Sequence, residues 1–518
     1  MQNGKIIIFF VMTALFICIF LNNNLPSINN MEARNYITAR EILENGSWLL
    51  PTMNGEPRIA KPPLPTWITA LAMVWAGTDA NLTTNRIPAG ICGALMALFT
   101  FLLARRVSGS KEIAVSSVLI LATGLLFLWS VRRNIWDIYT HMAMTGAIWA
   151  LTEAFMRKEG KNLFFALFSF FMAFSFCSKG PIAFGVMFIP FMVSYCIVYG
   201  TKGLRENKWG LAFGLAFSVI LASSWPYYVY LHTPQNALAV ASKEATNWFT
   251  YQIEAPWYYL LNLHWVSGIW LTFLLYATVA PFIQKNWSKE EKLYVYWFIL
   301  IILILSVIPE KKVRYLLPAV IPGSIITAIA VFRLREAGSL ASRVVYGPFS
   351  FIVGIACFAG AGALLYYFPV NIAMIPGAVA LGIAGLVIVS DFLRKRTKNT
   401  HLAVIAAMCL LIVLIAPLRP KLVQKDPTLM LMGLREIPEL KGRDFYFLGS
   451  PAEEIIYAAG RKVRSIEPGQ IPTLKENRSM AVIISEAPVN EKYLGLTLLD
   501  TIRTKEWTLY MYSFQKNG

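Results

Sequence analysis

The chain has 518 residues, 56% of them hydrophobic and only 15% charged, with a formal net charge of +18. Long uncharged apolar runs at this composition exclude a set of water-soluble domains and indicate a polytopic α-helical membrane protein. The basic excess does not call for nucleic acid, because its distribution among the loops accounts for most of it as a topology signal.

Lys5 precedes the apolar run Ile6 to Leu21, and Asn22, Asn23, Asn24 and Pro26 follow where small residues would mark cleavage, so this segment is expected to stay as an anchor. Residues 22–84 then form a first outer loop far longer than a connector requires. Its stretches Tyr36 to Leu43 and Trp48 to Pro51 are too apolar for disorder and suit a helix lying on the bilayer. Leu64 to Gly77 is apolar but short of the roughly 20 residues that a span needs, which favours a second interfacial helix.

The sequence predicts thirteen spans, near residues 5–21, 85–104, 113–130, 138–156, 162–178, 182–200, 209–230, 264–283, 293–308, 315–332, 344–367, 372–393 and 402–417. If Leu64 to Gly77 lies flat, the inner loops carry Arg105, Arg106 and Lys111; Arg157, Lys158 and Lys161; Lys202, Arg205 and Lys208; Lys285, Lys289 and Lys292; Arg333, Arg335 and Arg343; and Arg394, Lys395, Arg396 and Lys398. Were it to cross, all of these would face outward, against the bias that keeps positive flanks in the cytoplasm. The expected organisation is a membrane domain over 1–420 and a small extracytoplasmic α/β domain over 421–518. In the latter, Asp444 to Leu448, Met480 to Ser485 and Trp507 to Phe514 read as strands and Ala452 to Ala459 as a helix. All six cysteines lie in or at the ends of spans without a Cys-x-x-Cys spacing, so neither a disulfide frame nor a thiolate metal site is implied.

The span interiors hold almost no ionisable groups, and Arg86, Glu153 and Asp391 lie near span ends. Ion-coupled transporters place such groups at mid-membrane. A minority of cations instead sits outside: Arg34, Arg58, Lys61, Arg132, Arg133, Lys179, Lys243, Lys311, Lys312 and Arg314, beside the acids Glu32 and Asp137. Cations gathered on the outer face suit a phosphate, to which an ammonium offers a point charge and a guanidinium a planar fork of donors; lipid headgroups are the plainer use. Asp137 opens a span, where a helix N-terminus favours negative charge and where it could equally be a cap. His141 follows one turn later and reads as a hydrogen-bonded interfacial residue rather than a metal ligand.

The order Glu32-Ala-Arg34, Gly46-Ser-Trp48, Pro51, Asn54-Gly55, Lys61-Pro62-Pro63, Asp137, Lys179-Gly180-Pro181 and Arg314-Tyr315-Leu-Leu-Pro318 resembles the membrane glycosyltransferases that use polyprenyl-phosphate sugars. Among them it is similar to the bacterial aminoarabinose transferases of lipid A and to the protein O-mannosyltransferases, over about residues 5–418. The resemblance implies a GT-C-like helical fold, an acidic pair in the first outer loop, a second essential aspartate in the next, and basic residues gripping a lipid phosphate. This chain departs at Met31-Glu32, where the family has Asp-Glu, so the missing acid's role passes to Glu32, Asp137 or both.

The expected reaction moves a sugar from undecaprenyl phosphate to an acceptor hydroxyl or phosphate on lipid A, another envelope glycan or a protein. Asp137, with Glu32 as the alternative, is expected as the base. Arg34, Arg58, Lys61, Arg132, Arg133, Lys179, Lys311, Lys312, Arg314 and Tyr315 are expected at the donor phosphate, with Trp48, Trp67, Trp257, Tyr258 and Tyr259 as further aromatic flanks. No compact carboxylate or histidine cluster is legible, so no metal or other cofactor is expected. The active site and the C-terminal domain are placed on the periplasmic side of the bacterial inner membrane. A transporter or flippase of lipid-linked saccharides is the runner-up, and a polysaccharide polymerase or ligase the third reading; the latter would carry its large outer loop late in the chain rather than early.

Overall fold

The computed structural model describes residues 2–250, 252–284, 287–335, 340–367, 374–394, 400–415, 431–435, 442–477, 482–489, 496–503 and 508–514. Each segment read as a span is helical: α1 (Gln2–Ile19), then Ile87–Ser108, Lys111–Thr123 with Leu125–Val131, Trp136–Met156, Lys161–Lys179, the π-helical Phe184–Phe188 running into Ile189–Tyr199, Lys208–His232, Leu263–Ile283, Lys289–Val307, Val313–Leu334, Leu340–Tyr367, Ile375–Leu393 and Thr400–Leu414. Among the described residues seven helices are long and apolar enough to cross a bilayer, eight if the bent pair Lys111–Thr123 and Leu125–Val131 counts as one span. The chain is thus a multi-span membrane protein, and thirteen crossings stay an expectation from the sequence. Residues 372–373 and 416–417 of the last two expected spans, Lys285, Lys395, Arg396, Lys398 and the 420/421 junction lie outside the described residues.

Helix α3 (Leu64–Ala76) has 13 residues, roughly 20 Å at 1.5 Å per residue, against about 30 Å of hydrocarbon. Its flanks meet each other. The Asn23 side chain donates to the Thr83 carbonyl at 3.0 Å, Arg86 pairs with Glu32 and Arg40 pairs with Asp79, so the chain enters and leaves α3 at the same end of the molecule. The loops sort accordingly. At one end Arg132 reaches the Cys18 carbonyl, Asn22 the Ile412 carbonyl and Lys179 the Asp137 carboxylate; at the other Arg106 and Arg157 both hold Glu153, and Arg333 holds Glu291.

Helix α2 (Asn30–Asn45) starts on an Asn29 cap and ends at Gly46 in the left-handed region. The sequence suggested that this segment lies on the bilayer. Instead Met31 to Ile42 is largely buried between α3 and the C-terminal domain, because its apolar face meets protein on both sides. The C-terminal domain is a five-stranded sheet in the order β4-β3-β5-β7-β6, with β3 (Phe445–Leu448), β4 (Val463–Ile466), β5 (Val482–Ser485), β6 (Leu496–Arg503) and β7 (Thr508–Phe514). Strands β3, β4 and β5 are parallel, and β7 pairs antiparallel with β5 and β6. Phe445, Phe447, Ile455 and Tyr457 share one apolar core with Ala33, Tyr36 and Ile37 of α2. The small hairpin of β1 (Thr52–Met53) and β2 (Glu56–Pro57) reaches the edge strand β4, where the Asn54 amide makes reciprocal bonds to Val463 N and O at 2.8 and 2.7 Å, as a neighbouring strand would.

Candidate active site

Three local backbone features bring charged groups to one place. Gly124, at ψ 135°, interrupts the helix before it and turns the next one by 69°, and Leu125–Val131 then delivers Arg132 to Ile135. Gly180, at φ 74° and ψ −158°, closes the Lys161–Lys179 helix in a conformation that essentially only glycine adopts, leaving Lys179 on the last helical turn where a cation suits the helix dipole. The π-helical turn Phe184–Phe188 then opens the backbone beside it, a deformation frequent at functional sites.

Together these elements surround a cavity of about 230 Å³ whose lining includes the polar Asp137, His141, Lys179, Glu310 and Tyr315 and the apolar Ile182, Val186, Ile304, Leu305 and Ile308. Asp137 is not the helix cap. The cap position is Ile135, and the Asp137 carboxylate accepts from Lys179 Nζ at 2.6 Å through Oδ1, while Oδ2 is buried without a partner. Arg314 and Lys61 act electrostatically on this pair, and Arg314 Nε is buried without a hydrogen-bond partner. The Tyr315 ring lies 5.5 to 5.7 Å from the cationic groups of Lys179, Arg314 and Lys312.

Other expected site residues go elsewhere. Glu32 is fully buried and accepts from both sides of the Arg86 guanidinium at 2.8 and 2.7 Å, from Tyr36 Oη and from Asn134 N. With its lone pairs engaged and no edge on the cavity, it is a structural acid, which corrects its expected alternative role as base. Burial and the neighbouring Glu32 charge hold the Tyr36 phenol well above its ordinary pKa, so it serves as donor. Arg34 is corrected too: its guanidinium grips Glu453 of the C-terminal domain at 2.6 Å. Arg132 caps the end of α1 through the Ile17 and Cys18 carbonyls, and Lys311 folds its ammonium onto the Ile308, Pro309 and Glu254 carbonyls. Burial lowers the Lys311 pKa, and those carbonyls, not a ligand, receive its protons.

Arg58 and Arg133 stand apart from the cavity, over Trp136 at 5.8 Å and Trp129 at 4.7 Å. Burial lowers the Arg133 pKa to about 10. Met31, where the transferases that the sequence resembles carry an acid, packs with Ile135, Trp136 and Trp129 in an apolar cluster. Lys312 bonds Glu310 at 2.6 Å. Of the aromatic candidates Tyr315 lines the cavity, Tyr259 is buried with its hydroxyl accepting from Lys312 N, and the Trp67 indole bonds the Trp48 carbonyl.

Two polar lining residues lie outside the site that the sequence predicts. Glu310 sits among the lysines of the run Pro309 to Tyr315, and it receives both Lys312 and the Tyr315 hydroxyl. His141, expected as a hydrogen-bonded residue one turn after Asp137 on the same helix face, has no partner at Nδ1. Among the described residues no three His, Cys, Asp or Glu side chains gather as a metal would require.

Comparison with known proteins bears on this arrangement. A sequence model of the family described as dolichyl-phosphate-mannose-protein mannosyltransferase matches residues 60–228. An uncharacterized protein of Aquifex aeolicus (strain VF5) is 29% identical over 296 residues, 56% of this chain and 57% of that one. An undecaprenyl phosphate-alpha-4-amino-4-deoxy-L-arabinose arabinosyl transferase of Pectobacterium carotovorum subsp. carotovorum (strain PC1) is 24% identical over 324 residues, 59% of this chain and 55% of that one. These matches therefore span little more than half the relatives' lengths. The crystal structure of ArnT from Cupriavidus metallidurans bound to undecaprenyl phosphate superposes with a TM-score of 0.73 at 15% identity, covering 99% of this chain and 98% of that one, so the two share a fold throughout.

Proposed function

We propose that this chain, a relative of the membrane glycosyltransferases that draw sugars from polyprenyl phosphates, transfers a sugar from an undecaprenyl-phosphate-type donor to an envelope acceptor at the outer face of the cytoplasmic membrane. The observation that carries this reading is the cavity with two characters. Its lining offers Lys179, on which Arg314 and Lys61 act, to a phosphate, branched aliphatic side chains to a prenyl tail, and the Asp137 carboxylate with one oxygen unpaired. A lipid-linked saccharide transporter needs no such oxygen.

In the proposed reaction the acceptor oxygen attacks the anomeric carbon, the bond from that carbon to the phosphate oxygen breaks, and undecaprenyl phosphate leaves with the bonding pair. Arg314, Lys61 and Lys179 neutralise the charge that develops on the leaving phosphate, with Lys312 contributing from its seat on Glu310. Asp137 Oδ2 takes the proton of an acceptor hydroxyl, while Lys179 fixes the carboxylate through Oδ1. A single displacement inverts the anomeric centre. The phosphate leaves as an anion, so no strong acid and no divalent metal are required. Transfer is expected to persist in EDTA, and a complete loss restored by added divalent ions would overturn the metal-free step.

Purified protein given an undecaprenyl-phosphate sugar and an envelope acceptor fraction should release undecaprenyl phosphate and form a glycosylated acceptor. Asp137→Asn should lower the transfer rate to a hydroxyl acceptor by about 10²- to 10⁴-fold, the usual contribution of a general base. Undiminished transfer by that variant would remove Asp137 from the role, and movement of intact donor across the bilayer without release would establish the transporter instead.

A further inference from the structure

His141 is a buried polar group that the mechanism above does not use. It is 2% exposed, lines the cavity and leaves Nδ1 without a hydrogen-bond partner. Buried side-chain nitrogens in native proteins are nearly always satisfied, so an unpaired one on a ring that lines a cavity points to what the cavity binds. It stands one helical turn from Asp137 on the same face of Trp136–Met156, with the Cβ atoms about 6 Å apart.

The donor has three parts, and two find their partners elsewhere. The phosphate has cations of its own, Lys179 on the cavity lining with Arg314 and Lys61 acting beside it, and these give it charge-assisted bonds. The prenyl chain has neither donor nor acceptor, and Ile182, Val186, Ile304 and Leu305 already offer it an aliphatic surface. The sugar remains. Its anomeric carbon must lie near Asp137 for displacement to occur, which sets the far side of the ring, with its hydroxyl or amino substituents, about one helical turn away. We infer that His141 Nδ1 hydrogen-bonds a ring substituent of the donor sugar and is the residue that selects which sugar is transferred. This assignment rests on the reading of the cavity as a transferase donor site. A site that hydrogen-bonds a substituent discriminates against donors lacking it, because the unpaired group is then left buried.

The experiment compares wild type, His141→Phe and His141→Gln as purified full-length proteins. Donors are undecaprenyl phosphate carrying 4-amino-4-deoxy-arabinose, mannose or glucose, and sugar-free undecaprenyl phosphate serves as a binding probe. Wild type should prefer one sugar. His141→Phe should lower kcat/KM for that sugar by about 10- to 100-fold and for the others far less, flattening the preference. His141→Gln, which keeps hydrogen-bonding atoms, should recover part of it. Affinity for sugar-free undecaprenyl phosphate should stay unchanged, since a purely structural role would move it. An unchanged preference in His141→Phe, or an equal loss of affinity for the sugar-free lipid, would overturn the assignment while leaving the transferase reading intact. Wild type inert on all three sugars would sink both.

Discussion

Glu32 and Asp137 show how partners, not residue type, decide what a buried carboxylate does. Glu32 has its charge matched by Arg86 and accepts four hydrogen bonds; Asp137 has one oxygen matched and one left over. Substituting one partner of a fully buried pair strands the other, at a cost of about 3–5 kcal/mol. Glu32→Gln, which strands Arg86, and Asp137→Asn, which strands Lys179, are therefore both expected to lower the unfolding temperature of the detergent-solubilised protein, but only Asp137→Asn should abolish sugar transfer by the protein that remains folded. Equal loss of transfer in folded Glu32→Gln would contradict this division. Arg314 belongs with Asp137: a charged hydrogen bond to phosphate contributes about 1.5–3 kcal/mol, so Arg314→Gln should raise the Kd for undecaprenyl phosphate by about 10- to 100-fold. Titration of the lipid against intrinsic tryptophan fluorescence reads that change. The sequence placed Arg314 and Lys311 in one basic run and gave no means of separating them. The difference arises because the Lys311 ammonium folds onto the Ile308 and Pro309 carbonyls, a local geometry that no spacing reveals.

At the level of elements, apolar length was legible and interruptions were not. Each predicted span is a helix because a long uncharged run leaves the backbone in a bilayer no other way to satisfy its polar groups. The break at Gly124, the π-turn at Phe184–Phe188 and the strands β4 and β6 depend on tertiary partners and on charged residues such as Arg464 and Arg503 that disguise a strand. Gly180 tests how strictly one such feature places the site. A Cβ there would meet no atom within 4 Å, so any penalty in Gly180→Ala comes from the backbone alone, about 1–3 kcal/mol for holding a non-glycine residue in that region. The chain should relieve it by rotating the turn that carries Lys179. The expected result is a modest fall in thermal stability with a larger fall in sugar transfer, and unimpaired transfer would show that Lys179 reaches Asp137 independently of that turn.

For the whole molecule, the distribution of charge and the docking of the C-terminal domain make one argument about orientation. The C-terminal domain cannot be a loose appendage. Asp79 receives Arg435 and Arg40, Arg34 holds Glu453, the Tyr457 hydroxyl bonds the Asp79 carbonyl, and the apolar core runs through both parts. Whichever compartment holds α2 and the cavity mouth thus holds the C-terminal sheet. The opposite end carries the larger set of lysines and arginines, and from the bias that keeps such flanks in the cytoplasm we expect the cavity on the outside. A cysteine introduced at Glu486 in the C-terminal domain or at Glu56 in the first loop, both exposed, should react with a membrane-impermeant maleimide in intact spheroplasts. One introduced at Lys158 or Lys202, exposed at the opposite end, should react only after permeabilisation. The native cysteines lie within or at the ends of apolar helices and can be replaced by alanine or serine for the assay. Because α2 and the sheet share a core, Glu56 and Glu486 must label together. Labelling of the Lys158 and Lys202 positions in intact cells would invert the molecule and place the phosphate cavity, with its donor, in the cytoplasm.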